Sequence, residues 1–496
     1  MRILALLPLF TALGALSQAG ALDPTFGTGG IVHTNFPNVD VNVRDLAVQS
    51  DGKILALCLM YDDPSYIRLI RYNTDGTYDT GFGTGGFVEH WLGYDYLGVG
   101  ELCVLPDGRI MLVADVLSQM MVVSYLPDGT PDGTLMLNTA TGGVANTIIA
   151  QPDGKIVVAG SVLEASLWKI GVVRLLPDGN YDTTFGGDGL VTTDIEGSNY
   201  EAAYGAALQP DGSILVCGYT TTGFCVLRYL TDGTLDPSFN GDGIFTHETG
   251  VANQPLQAMV LQPDGKVLAV GTSSNPQFML LRLNADGTLD GSFAEDGIAS
   301  ASPGQYSNGV DLALQPDGGI IIGGGVYDSG GPHAFAVMRF DPQGVPDPTF
   351  DGDGLVITGF VETGLSCPAV ALDAQWNIML AGTTYSDEWT YLTIVRYLND
   401  VTIGIGEHAL QQAILAPNTL TVHPTPASQR VIITLPTGLA SGFVRLFNAH
   451  GALVRELRYP DGAQAVMERD GLPSGVYSAI VIGDNGVQAK GRVIFE

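Results

Sequence analysis

Basic side chains are scarce in this chain. Its 496 residues hold 21 Lys and Arg against 52 Asp and Glu, a formal net charge of −31. A surface of that sign repels phosphate backbones, which disfavours nucleic acid as a partner. The acids are scattered rather than gathered in a tail, as on a soluble, self-repelling surface. Sustained 3.6-residue periodicity is also missing, so little helix is expected. Beyond the N-terminus no run approaches 18 consecutive apolar residues, and no membrane-spanning helix is expected. There is no Gly-x-Ser-x-Gly elbow, no His-Glu-x-x-His and no phosphate-binding loop, and the sequence implies no cofactor.

What the chain does have is a repeat. Apolar runs break at Asp51-Gly52, Asp107-Gly108, Asp153-Gly154, Asp211-Gly212, Asp264-Gly265 and Asp317-Gly318, with a decayed copy at Ala374-Gln375-Trp376-Asn377. A period of about 50 residues with several short strands per unit marks a propeller blade or related array, in which no unit buries its apolar face alone. The 66 Gly supply the turns. In unit three, Asn146 to Gln151, Lys155 to Gly160, Ile170 to Leu175 and Tyr181 to Thr192 are bounded by Pro-Asp-Gly turns, which predicts four antiparallel strands.

An Arg recurs on the third strand as Arg71, Arg174, Arg228, Arg282 and Arg339. At one fixed interval beyond each comes an Asp: Asp79, Asp182, Asp236, Asp290 and Asp347. The Asp-Gly turn between them brings each pair together across a hairpin, as scaffold rather than catalytic machinery. Unit two keeps Asp132 but has Ser124 for the Arg. The last unit lacks a fourth strand, whereas Leu22-Asp23-Pro24-Thr25-Phe26-Gly27 copies the start of one and has no strands before it. The expected fold is therefore all-β: a seven-bladed β-propeller over residues 22–400, closed by the N-terminal strand with Arg396 facing Asp23.

These residues resemble the delta-60 repeat family. The resemblance rests on Leu235-Asp236-Pro237-Ser238-Phe239, Leu261-Gln262-Pro263-Asp264-Gly265-Lys266 and Leu281-Arg282-Leu283-Asn284-Ala285-Asp286-Gly287. It implies a β-propeller of uncharacterised biochemical role and brings no catalytic residues.

Residues 1–21 read as an export signal: Arg2, an apolar stretch from Ile3 to Leu16, and Ala19-Gly20-Ala21 at the cleavage site. Residues 401–418 read as a linker and 419–496 as a small β domain. The tail's motifs are His423-Pro424-Thr425-Pro426-Ala427, Arg445-Leu446-Phe447-Asn448-Ala449-His450-Gly451 and Leu472-Pro473-Ser474-Gly475-Val476-Tyr477. They look like the type A sorting domain of the type IX secretion system, although Thr425 and the terminal Glu496 depart from its pattern. That likeness implies an immunoglobulin-like sandwich, secretion and sorting machinery as partner, and a destination outside a Gram-negative cell, secreted or surface-attached.

The Asp-Gly turns share one face of the array and are monotonous; the loops of the other face vary, and function tends to reside in varied loops on a rigid scaffold. They hold Trp91, Tyr94, Trp168, Tyr200, Tyr306, Tyr327 and Trp389, rings suited to stacking on sugar C–H faces or, alternatively, to packing on one another at blade ends. His33, His90, His247 and His333 belong to different units and suggest no shared metal site, and Asp351-Gly352-Asp353-Gly354 lacks the ligand pattern of a calcium loop. Cys217 and Cys225 flank a short loop near Thr221 and are candidates for a disulfide. The leading expectation is a binding protein for a glycan or protein ligand. The alternatives are a structural adhesin and a polysaccharide hydrolase or lyase with Asp62, Asp63, Glu101 and Asp115 near the axis.

Overall fold

A computed structural model describes residues 19–399 apart from 93–96, 140–141, 196, 249–254, 273–276, 328–332, 361–363 and 387–388; in the C-terminal part it describes 421–423, 429–434, 442–447, 453–459, 464–469, 472, 475–483 and 486–495. Most of the expected leader, the linker and much of the sorting motifs lie outside these residues.

Among the described residues the chain is all-β. Seven four-stranded antiparallel sheets follow one another, numbered here by their first strands: Asp40–Val48, Leu97–Val104, Gly143–Ala150, Ala202–Leu208, Leu256–Leu261, Tyr306–Leu314 and Gly364–Leu372. Each first strand touches the first strand of the next sheet, and that of sheet seven touches that of sheet one.

Sheet one shows the local causes. Its strands are Asp40–Val48, Ile54–Tyr61, Tyr66–Tyr72 and Phe87–Trp91. At the first turn the Gly52 amide donates to the Gln49 carbonyl at 2.8 Å and Gly52 takes φ 83°, a conformation glycine adopts without steric cost. The Asp51 carboxylate accepts the Lys53 amide at 3.1 Å. On the second strand, Ile54, Ala56, Cys58 and Met60 enter a core shared with Met379, Ala381 and Ile394 of sheet seven. Leu55, Leu57 and Leu59 enter the opposite core, with Ile110 and Leu112 of sheet two. A strand covered on both faces must be apolar throughout, which is why the middle strands lose the usual alternation.

Sheet seven draws its outer strand from the other end of the chain. Ile31–Asn35 pairs antiparallel with Thr390–Tyr397, with Ile31 opposite Val395 and Asn35 opposite Tyr391. The Asp23 amide donates to the Arg396 carbonyl at 2.9 Å, and Arg396 Nε donates to Asp23 Oδ2 at 2.8 Å. Ala19 to Ala21 continue this docking: the Leu398 amide donates to Ala21 at 2.7 Å and the Gly20 amide to Leu398 at 3.0 Å.

The C-terminal residues form a three-stranded and a four-stranded antiparallel sheet around a core that includes Val431, Ile433, Val444, Leu446, Met467, Tyr477 and Phe495.

The disulfide expectation needs correction. Cys217 lies opposite Val226 while Cys225 lies opposite Gly218, a stagger of one residue that sends the two side chains to opposite faces. Cys225 packs in the core toward sheet three and Cys217 in the core toward sheet five. Both thiols are free.

Candidate functional site

Every first strand carries a register shift against its second strand: Val43/Asp45, Val99/Leu102, Ala145/Thr147, Ala203/Gly205, Leu256/Ala258, Gly309/Asp311 and Ser366/Ala369. A bulge bends its strand and re-aims the neighbouring side chains. Close approach follows: a Cβ on Gly100 would stand 2.4 Å from the Asn146 carbonyl oxygen of the next sheet.

Three carboxyls stand beside these bulges, and Asp45, Glu101 and Asp311 line a cavity of about 210 Å³ with Leu102, Gly205, Ala258 and Val370. Asp45 and Asp311 each bond across to a neighbouring sheet. Asp45 accepts the Leu102 amide at 2.8 Å and the Leu46 amide at 2.7 Å. Asp311 accepts the Val370 and Leu312 amides, both at 2.7 Å. Asn146 Nδ2 donates to the Ala203 carbonyl at 2.7 Å, and Arg44 Nε to the Val99 carbonyl at 2.7 Å. These contacts tie the innermost strands to one another.

Burial pushes Asp45 up to about 6, against the pull of those amides. Burial likewise raises Asp311 to about 7, with the Asp45 charge adding to the effect. Glu101 is raised well above the usual carboxylate range by burial first and then by Asp45 and Asp311. Low polarity and mutual repulsion both disfavour the charged forms. Of the acids placed near the axis from sequence, Glu101 lines this cavity. Asp115 is half-buried opposite Gly98 and raised to about 6 by burial. Asp62 and Asp63 are corrected: they sit in the exposed turn after Ile54–Tyr61 and do not line the cavity. Asp45 and Asp311 escaped the sequence reading. Their signal was an acid directly before Leu and a small residue, in Asp45-Leu46-Ala47, Glu101-Leu102-Cys103 and Asp311-Leu312-Ala313.

On the loop face, Tyr306 and Tyr327 end adjacent strands of sheet six opposite each other, with stacked rings 4.7 Å apart. They are 36% and 43% exposed. His333 stacks on Tyr327 at 5.0 Å. The tyrosines line a cavity of about 230 Å³ with Thr272, Ser307, Asn308, Val310, Ser366 and Cys367. Thr272 Oγ1 and Asn308 Oδ1 are hydrogen-bonded. The result is an apolar platform beside hydroxyls and an amide, while Asp311 on the same strand lines the carboxylate cavity.

Trp91, Trp168, Tyr200 and Trp389 do not line this cavity. Trp91, 49% exposed, stacks on Tyr66 at 3.9 Å and its Nε1 donates to Glu89 at 3.3 Å. Trp168 lies 6.0 Å from Tyr200, which stacks on Tyr219 at 5.7 Å. Trp389 is half-buried, its carbonyl accepting the Ser386 amide at 2.8 Å. Tyr94 lies outside the described residues. Trp91, Trp168 and Tyr200, like Tyr306 and Tyr327, pack on neighbouring rings. Among the described residues no group of three or more His, Cys, Asp or Glu is arranged to hold a metal ion. No helix there is long and apolar enough to cross a membrane.

The turn face is built from the Arg–Asp pairs. Arg71 Nε donates to Asp79 at 2.7 Å, Arg174 to Asp182 at 2.8 Å, Arg228 to Asp236 at 2.8 Å and Arg282 to Asp290 at 2.7 Å. Arg339 lies 3.2 Å from Asp347 and 2.6 Å from Asp317.

Five segments, residues 49–82, 151–185, 209–239, 262–293 and 315–350, match a family described as a domain of unknown function (DUF5122) beta-propeller. They fall in repeats one, three, four, five and six, and the chain is a β-propeller repeat protein. No curated protein matches it. Solved structures resemble its fold alone. The PQQ-bound aldose sugar dehydrogenase of Streptomyces coelicolor is 15% identical over 58% of this chain and 93% of its own, with a TM-score of 0.38. The calcium-binding protein regucalcin of Agrobacterium tumefaciens is 13% identical over 60% and 90%, with a TM-score of 0.34. Polysaccharide lyase Uly1 is 10% identical over 71% and 89%, with a TM-score of 0.41.

Proposed function

We propose that the chain is an exported, seven-bladed β-propeller, closed by its N-terminal strand, that binds a polyhydroxylated ligand such as a glycan chain through its loop face. The single observation behind the binding reading is the exposed Tyr306–Tyr327 stack over a cavity edged by Thr272, Asn308 and Ser366. Tyrosine faces pack on the C–H faces of a sugar, while neighbouring amide and hydroxyl groups bond its hydroxyls. The closed ring is supported by seven sheets, by contacts running from first strand to first strand, and by Ile31–Asn35 in the last sheet. Delivery outside a Gram-negative cell by a sorting tail, folded as an immunoglobulin-like sandwich, belongs to the same proposal and rests on the leader-like N-terminus and the tail motifs.

A second reading, hydrolysis or elimination on a polysaccharide, is favoured by Asp311 raised to about 7 near neutral pH. General acid–base work suits a group poised there. Against it, both Asp311 oxygens already accept backbone amides.

Glycan-array binding of the chain and of Tyr327→Ala and Trp91→Ala tests the binding reading. Binding that falls about tenfold with Tyr327→Ala and stays unchanged with Trp91→Ala is expected. Binding to no glycan, or equal binding by all three proteins, removes it. Release of sugar fragments from a polysaccharide, lost in Asp311→Asn, would replace it with the enzymatic reading.

A further inference from the structure

We propose that the turn face carries a binding site for the guanidinium of an arginine side chain supplied from outside, in the place between sheets two and three where the repeat's own arginine is missing.

In sheets one, three, four, five and seven the arginine makes one recurring set of contacts. Its Nε bonds the Asp of its own sheet, and its Nη1 donates to a turn carbonyl of the next sheet. The acceptors are Pro127, Thr231, Ala285, Pro342 and Thr74, at 2.6 Å for Arg174, Arg228 and Arg396. The guanidinium carbon stands 4.3 Å from the Phe293 ring in sheet five and 4.6 Å from Phe185 in sheet three. Each arginine thus fills a slot made by a carboxylate, a carbonyl and an apolar wall.

Sheet two retains the first two and lacks the occupant. Ser124 stands where Arg71 stands in sheet one, opposite Met111 as Arg71 is opposite Leu55. Leu135 takes the register place of Val88, so the loop that carries Phe82 in sheet one has no counterpart. A cavity of about 340 Å³ opens there, lined by Ser124, Asp132, Leu135, Val122 and Pro177, the residue that corresponds to Thr231 and Ala285 in the next turn. The Ser124 hydroxyl reaches Asp132 only at 3.4 Å. The Asp132 side chain is 34% exposed, whereas that of Asp182 in sheet three is 3% exposed.

Arg109 lines the same cavity but plays another part. It occupies the position of Lys53 and Lys155, which approach the Asp of their own sheets at 3.0 and 3.2 Å while the arginine also holds it. Arg109 Nε is engaged by Asp107 at 2.8 Å, with Nη1 3.9 Å from Asp132. In sheets one, three and five one carboxylate accommodates both cations, so Arg109 leaves the arginine's share of Asp132 open. A planar fork of donors matches a carboxylate beside a carbonyl better than an ammonium does, and the net charge of −31 attracts cations to the surface.

Calorimetric titration of the full chain with Nα-acetyl-arginine methylamide, its lysine counterpart, free arginine and an arginine-containing peptide tests the assignment. The arginine amide should bind, with the lysine counterpart at least tenfold weaker. Asp132→Asn should weaken binding at least tenfold, and Ser124→Arg, which rebuilds the repeat from within, should abolish it. Thermal melts of both variants check folding, and Asp132→Asn with the lysine comparison decides the matter if Ser124→Arg does not fold. Equal binding of free arginine and peptide points to a small molecule, and tenfold tighter peptide binding to a partner chain; both keep the guanidinium site. No binding by any arginine probe, or unchanged binding in Asp132→Asn, overturns it.

Discussion

The two faces of this propeller are built on opposite plans. On the turn face one contact recurs in sheets one, three, four, five and seven: an arginine buried beside its Asp and bonded onward to the next turn. Such a repeated contact serves assembly, because every copy does the same mechanical task. Among the described residues of the loop face the ring contacts differ from sheet to sheet, and the exposed rings of Tyr306 and Tyr327 border a cavity. Regularity marks the scaffold, and departure from it marks where a ligand can be recognised. Sheet two extends the lesson to the turn face, since its departure from the rule leaves a cavity there as well.

The difference between the faces can be broken most severely at the joint between chain ends. Removing residues 19–36 takes away Phe26, Val32 and the Asp23 partner of Arg396, and bares the edge of Thr390–Tyr397. A loss above about 5 kcal/mol and association through the bared edge are expected, read by denaturant unfolding and size-exclusion chromatography. A monomer of unchanged stability would contradict the joint.

Next comes a single scaffold pair. Arg174 and Asp182 are 3% and 2% exposed, and Arg174→Ala takes the nearest cation from a buried carboxylate that keeps Lys155 at 3.2 Å, at a cost of about 3 kcal/mol. Arg109→Ala in sheet two, where the pair is 3.9 Å long and partly exposed, should cost less than about 1 kcal/mol. Equal destabilisation in urea would erase the distinction between sheet two and its siblings.

Tyr327→Ala sharpens the contrast from the other side. It should reduce glycan affinity about tenfold while moving the melting temperature less than Arg174→Ala does. A larger loss of stability than in Arg174→Ala would make that ring scaffold too.

The smallest effect concerns pH. Burial raises Asp45 to about 6 and Asp311 to about 7, so the folded chain holds protons that the unfolded chain has lost. Their contribution to stability therefore falls as pH rises from about 4 to 7. Asp182 behaves oppositely: burial would raise it, but Thr184, Lys155 and Arg174 hold it well below the usual carboxylate range, so its contribution is lost on acidification below about pH 4. Asp311→Asn should lessen the fall of the melting temperature between about pH 4 and pH 7, with Asp45 and Glu101 supplying the remainder, whereas an unchanged profile would assign the slope elsewhere.

Much of the scaffold was legible because it repeats. The Asp-Gly turns, the Arg with its downstream Asp, and the orphan outer-strand motif at Leu22 to Gly27 are all short-range patterns, and in the structure Arg396 meets Asp23. The site was less legible. Glu101 was picked out and Asp45 and Asp311 were not, because a bulge decides which side chain of an inner strand turns inward. Tyr306 and Tyr327 were named among many rings, yet only cross-strand register shows that these two stack together. Register also undid the disulfide: one residue of stagger puts Cys217 and Cys225 on opposite faces.

By itself the sequence determined the β class, the repeating turn chemistry and the charge, since each depends on composition and on neighbours a few residues apart. The tertiary structure alone decided which acids share a cavity, which rings form a platform and where a missing arginine leaves room. Those are relations between sheets, and they exist only once the repeats are packed side by side.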